Sequence, residues 1–280
     1  LIYYDLDTID RLAELKYRKA ERYESEREMV FRKHYAPYEK DDVKTVERNI
    51  SKYGVDYRDQ FNMTPLLLAV ESGSRKILEL LLDSEANPSL RDNLGRIPLQ
   101  VALLQCYVGP HHHEVINSLL STLVTDHIKI MVDERMIKID NHKIEYFLLH
   151  FFMALQDEIV GECNDFFLSY KGVRASDIAR IAQRYTDEFL PGFRKKGSYL
   201  SSNLSKHEIQ RKNPYNKKLF KRLYRGYYEL NPDLAVWAND RWMNVYDMMQ
   251  SEEVRVPTKE ERDEFIKEYY KQLRQEQKRL

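Results

Sequence analysis

The chain has 280 residues, of which 42% are apolar, 12% aromatic and 32% charged, with nine Gly and nine Pro. This composition excludes a disordered tail and points to a helix-rich chain of one to three small domains. The 45 Lys and Arg balance the 45 Asp and Glu, and Cys106 and Cys163 lie in apolar surroundings without companions, which excludes a disulfide scaffold or a zinc knuckle and makes a reducing cytoplasm the expected setting.

Residues 1–42 open the chain with alternating charges and apolar positions at Ile9, Leu12, Leu15 and Tyr17, a helical spacing with a weak apolar stripe. One or two solvated, capping helices are expected there. The first residue is Leu and no signal-peptide charge pattern precedes an apolar run, so a fragment or a processed product is expected. Val43, Val46, Ile50 and Tyr53 repeat the helical spacing up to Gly54, a helix stop.

A 33-residue echo follows. Asp59, Pro65, Leu66 and Ala69 recur as Asp92, Pro98, Leu99 and Ala102. Thr64-Pro65 starts a helix with a hydroxyl cap and a proline at the first helical position. Gly73 turns the chain, and Ser74 is expected to cap a second helix carrying Ile77, Leu78, Leu81 and Leu82. Gly95 stands where a left-handed residue is needed, and Asn62 occupies the matching position one period earlier. The second unit runs from Pro98 to Gln105, then through an irregular stretch with His111, His112 and His113, to a helix over 114–124. Adjacent histidines cannot all reach one ion, so they read as a surface loop, and no metal or other cofactor is expected.

These residues resemble ankyrin repeats over residues 43–125, with 42–53 as the last helix of a degenerate first repeat. Leu67 and Gln100 replace the histidine of the family's Thr-Pro-Leu-His, and Ile97 replaces its threonine in the second copy. The resemblance implies stacked units, none of which buries its apolar face alone, and docking of a protein partner through exposed tips. Gln60, Phe61, Asn93 and Leu94 are the candidate contacts; the alternative is that the repeats only brace their neighbours.

Over 126–141, Ile128, Ile130 and Val132 alternate with polar residues, turn at Asp133-Glu134 and return through Ile137 and Ile139, a β-hairpin expected as a connector. From Glu145 a strongly apolar helix carries Tyr146, Phe147, Phe151 and Phe152, which with Phe166 and Phe167 read as core. A second helix is expected over 176–182, capped by Ser176, and a third over 199–209. The segment 219–232 then reads as strand, Arg225-Gly226 turn and strand, anchored by Leu219, Leu223, Tyr227 and Leu230. Three helices and a two-stranded wing resemble a winged helix-turn-helix domain over 142–234. Residues 235–280 add an aromatic segment with Trp237, Trp242 and Tyr246, and a charged helix from Thr258 with Phe265, Tyr269 and Leu273 on one edge. The expected fold is therefore mainly α: a short ankyrin-type array plus an α+β winged-helix-like domain with flanking charged helices.

Between Arg194 and Arg225 the chain places eleven Lys and Arg against one acid, Glu208. The winged-helix resemblance implies that Tyr199, Ser201, Ser202, Asn203, Lys206 and His207 face bases or phosphates, with Arg222, Tyr224 and Arg225 at the wing. Lys195, Lys196, Arg211, Lys212, Lys217 and Lys218 would add phosphate attraction. DNA or RNA is the implied partner. Protein docking, through acids elsewhere in the molecule or on a partner, and a simply solvated face remain as alternatives. The chain carries no phosphate-binding loop, dinucleotide fingerprint, HExxH or GxSxG, so no catalytic residue is expected. The expected function is a non-catalytic binding module, cytoplasmic and not membrane-bound; the alternatives are the accessory end of a larger nucleic-acid-acting enzyme or ATPase, and an assembly subunit.

Overall fold

The computed structural model describes residues 35–59, 62–108, 113–160 and 172–249. The helices expected over 8–34 and from Thr258 lie outside them, as do Phe166 and Phe167. Two compact units divide the chain: Leu1–Asn93 with Ile97–Leu123, and Leu94–Arg96 with Val124–Leu280.

The first unit is helical. Residues 35–39 form a helical turn, followed by α1 (Val43–Tyr53), α2 (Pro65–Ser72), α3 (Arg75–Asp83), α4 (Pro98–Val108), α5 (His113–Leu119) and a 3₁₀ turn at Leu120–Leu123. Helix α2 lies against α3 and α4, α1 against α3, and α4 against α5. Thr64 Oγ1 accepts the Leu67 amide at 3.3 Å and Pro65 occupies the first turn, so α2 starts where its sequence directs. Gly73 ends it in the left-handed conformation at φ 67°.

Two caps differ from expectation. The Ser74 hydroxyl bonds the Asp41 carboxylate instead of the first turn of α3, which has no side-chain cap. Ile97 cannot cap α4, but buried Gln100 reaches back and its Oε1 accepts the Ile97 amide at 2.9 Å. That is one half of a capping box, and it replaces both the threonine and the histidine that the second copy lacks.

In the second unit β1 (His127–Val132) and β2 (Arg135–Asp140) pair antiparallel across a turn in which Asp133 (φ 49°) and Glu134 (φ 61°) are both left-handed, the primed turn that suits strand twist. The hairpin is no free connector. Strand β1 also pairs with β6 (Ala235–Ala238), and β6 with β7 (Arg241–Asn244), giving a four-stranded antiparallel sheet in the order β2-β1-β6-β7. Asn239 and Asp240, both at positive φ, make the second turn, and α9 (Val245–Met249) follows.

Between these hairpins the chain forms α6 (Ile144–Val160), β3 (Val173–Arg174), α7 (Ala175–Ala182), a 3₁₀ turn at Gly192–Lys195, α8 (Gly197–Lys206), β4 (Phe220–Tyr224) and β5 (Tyr227–Leu230). The last two strands and β3 make a three-stranded antiparallel sheet in the order β3-β5-β4. Helix α6 is buried from Ile144 to Leu155, with Tyr146, Phe151 and Phe152 fully enclosed, and it contacts β2 and β5. It is hydrophobic all round because it is a core helix. The N-cap of α7 is Arg174, without a side-chain bond, so Ser176 does not cap it. A bulge between Arg222 and Tyr224 shifts the β4–β5 register, leaving Leu223 and Tyr227 half-buried while Phe220 and Tyr228 turn inward.

Gly95 is left-handed at φ 72°, and a Cβ there would lie 2.4 Å from the Met248 carbonyl oxygen. Asn62, its counterpart, is left-handed at φ 62° and exposed. Gly95→Ala is expected to lower stability by about 2 kcal/mol or more, and Gly95→Asn, which tolerates the φ but not the contact, by a similar amount. Asn62→Gly should be near neutral. Thermal melts of the three variants check this.

Candidate functional site

The loops of the repeats are tied to one another in steps close to the repeat period. Arg58 Nη1 donates to the carbonyls of Asn62 at 2.6 Å and Arg91 at 2.7 Å. Asn62 Nδ2 donates to Asn93 Oδ1 at 2.8 Å, and the Asn87 amide to Asp56 Oδ1 at 2.9 Å. Within the first loop Asp59 Oδ1 accepts the Met63 amide at 2.9 Å. Burial lowers the Arg91 guanidinium to about 10, with neighbouring Asp92 opposing the shift.

Of the four expected contacts, Gln60 and Phe61 lie outside the described residues; Asn93 is exposed and Leu94 half-buried. In α2 all residues but Glu71 are buried, and in α4 Pro98–Leu103 are. Among their described side chains neither helix has an exposed one. The exposed side chains of this unit include Lys44, Glu47 and Arg48 on α1 and Arg75, Lys76 and Glu79 on α3, with Arg75 Nε 2.8 Å from Glu79 Oε1.

The basic block is not one outward plane. Lys195 is buried, and its ammonium donates to the Tyr185 carbonyl and to Asp187 Oδ1, each at 2.6 Å. Lys217 Nζ binds Glu145 Oε1 at 2.5 Å, Lys218 pairs with Asp133, and Lys221 Nζ lies 3.1 Å from Glu229 Oε1 across the β4–β5 ladder. Four of the eleven cations are thus matched to carboxylates. Lys196, Lys206, Arg211, Lys212, Arg222 and Arg225 are exposed, and none of them makes an ion pair among the described residues. Arg211 donates to Ser205 Oγ at 2.9 Å, and Arg222 Nε to the Tyr224 carbonyl at 3.2 Å. On α8, Ser201 and Ser202 are exposed, while Tyr199 and Asn203 are half-buried, the Asn203 amide bonding back to the Tyr199 carbonyl at 2.9 Å.

His207, expected to face bases, is fully buried. Its Nδ1 accepts the Lys217 amide at 3.1 Å, so the ring proton sits on Nε2, which lies 3.1 Å from Glu145 Oε1. Burial pushes the Glu145 carboxyl up, but the His207 ring against it and the Lys217 ammonium bonded to it outweigh that and hold the group well below the usual carboxylate range. Sequence patterning missed this knot because its members stand 62 and 72 residues from Glu145 in the chain. A glutamate directly before an unbroken apolar helix was the available signal. The arrangement neutralises charge and positions the loop after α8. Among the described residues no group of three or more His, Cys, Asp or Glu converges as a metal site, and no helix is long and apolar enough to cross a membrane.

Because the folded Glu145 carboxyl titrates below the ordinary glutamate value of 4.5, its contribution is fully present above about pH 4.5 and is lost as pH falls toward the folded value. Glu145→Gln is expected to cost about 3 kcal/mol at pH 7, leaving the half-buried Lys217 ammonium without its counter-charge. It should also flatten the fall in stability below pH 4.5. Denaturant titrations of both proteins across pH 3–7 measure the difference.

Comparison with protein families matches residues 33–131 to the model of ankyrin repeats in three copies, a span of 99 residues or three periods of 33. Comparison with the curated proteins and with the solved structures gave no match. The match begins ten residues before α1 and ends within β1, so the ankyrin-repeat similarity extends beyond the expected 43–125 at both ends.

Proposed function

We propose that the chain is a non-catalytic, cytoplasmic docking protein whose ankyrin repeats hold a protein partner. Ankyrin repeats generally mediate protein–protein binding. The observation that carries the reading here is the bonding of successive loops, Arg58 to Arg91 and Asn62 to Asn93, which presents the tips as a preorganised comb. Since α2 and α4 are buried, the partner reads loop tips around Gln60, Phe61, Asn93 and Leu94 together with the outer faces of α1 and α3.

A second reading assigns nucleic-acid contact to the second unit. The chain order α6, β3, α7, α8, β4, β5 and the sheet order β3-β5-β4 support a winged-helix-like arrangement. Six exposed cations without carboxylate partners support contact with a polyanion.

Site-specific photo-crosslinkers at Asn93 and Lys76 are expected to capture one common protein in cells, and Lys76→Glu with Arg48→Glu to abolish that capture without changing Tm. Capture that charge reversal leaves intact rejects the outer-face reading. For the second reading, Lys196→Glu with Arg222→Glu is expected to weaken oligonucleotide binding and to lower the salt slope by about two. Lys217 is the wrong position for this test because Glu145 already holds it. Mobility shifts over a salt series supply the measurement.

A further inference from the structure

The second unit buries half of its described aromatic rings, among them Tyr146, Phe151, Phe152, Tyr185, Phe220 and Tyr228, and exposes Trp237 on β6 and two rings in the basic block. Phe193 is 57% exposed and Tyr215 is 76% exposed. They stand at the two ends of α8. Phe193 lies in the 3₁₀ turn before that helix, edge-on to Tyr199 at 6.0 Å between centroids, with the Arg194 guanidinium 5.3 Å from its own centroid. At the other end Arg211 is bonded to Ser205 and leads into the loop that carries Tyr215.

That loop is stiffened by its asparagines. Asn213 Oδ1 accepts the Tyr215 amide at 2.9 Å, and Asn216 Nδ2 donates to the carbonyls of Glu208 at 2.7 Å and Arg211 at 2.8 Å. Tyr215 is therefore presented on a fixed turn. Between the two rings in the chain runs α8, ten residues or about 15 Å of helix, whose first half exposes the small hydroxyls of Ser198, Ser201 and Ser202. Glu208, the block's one acid, is buried and accepts the Gln210 amide at 3.0 Å, and it makes no ion pair with the block's cations among the described residues.

From this we propose that the α8 face binds single-stranded nucleic acid, with Phe193 and Tyr215 as stacking platforms for unpaired bases and Arg194, Lys196, Arg211 and Lys212 holding the phosphates. The inference rests on the nucleic-acid reading above and narrows it. A duplex keeps its base faces stacked inside and would leave both rings idle; an acidic peptide would satisfy the cations but not the rings. An unpaired strand uses both, because every base has a π-face and every nucleotide a phosphate.

Fluorescence anisotropy of the full chain with a labelled thymidine single strand of about 20 nucleotides and with a duplex of the same length tests it. The single strand is expected to bind more tightly. Phe193→Ala and Tyr215→Ala should each weaken single-strand binding about tenfold, leaving the salt slope and Tm unchanged, and Tyr215→Trp should restore affinity where Tyr215→Leu does not. Intact binding by the alanine variants, or a preference for the duplex, overturns the single-strand inference and leaves the nucleic-acid reading standing. Absence of binding to either oligonucleotide at low salt overturns both.

Discussion

The second unit is organised around one buried carboxylate. Glu145 opens α6, the core helix, and sits where an ionised group is unstable without compensation. Two groups from distant parts of the chain supply it: His207 at the end of α8 and Lys217 just before β4. The knot fixes the loop between α8 and β4 to α6, and Asn231 Nδ2, donating to the Lys218 carbonyl at 2.7 Å, extends the tie to the end of β5. A lysine that sequence charge counting assigns to a free surface is thus half-buried and spends its charge on an interior carboxylate.

The same reasoning applies to the rest of the block. Lys195 reaches inward because the Tyr185 carbonyl needs a donor, and Lys221 covers Glu229, whose side chain is wholly buried. A run of like charges is expelled to solvent only where the fold offers no buried acceptor. The cations that remain exposed sit on Lys196, along and after the end of α8, and at the β4–β5 turn. Any electrostatic role falls to these positions and not to the block as a whole.

How much could be read from the sequence depended on how local its cause was. The α2 cap, the αL residues Asn62 and Gly95 and the Asp133-Glu134 turn follow from one or two residues each, and the structure has them where the residues stand. Strands β6 and β7 escaped because four residues apiece, AVWA and RWMN, are too short for alternation to stand out, and only the Asn239-Asp240 turn marked them. Ser74 misled because its hydroxyl has a better partner in Asp41, 33 residues away. In the candidate sites, the contact of Arg58 with the Arg91 carbonyl has the same 33-residue step as the echo that identified the repeats. Phe193 and Tyr215 went unnoticed because exposure of an aromatic residue is a tertiary property with no periodic signature.

The burial of α2 and α4 has a consequence for how binding divides across the molecule. Helices whose described side chains are covered contribute stability but little selectivity, so recognition by the repeats falls to charged residues on α1 and α3 and to loop side chains already bonded to one another. Such loops lose little freedom on binding, and their affinity resides in a few side chains at the tips. The α8 face in the second unit uses other chemistry, rings and cations around small hydroxyls. Since the two sets share no residue, charge reversal on α3 is expected to weaken partner capture alone, and ring removal beside α8 oligonucleotide binding alone.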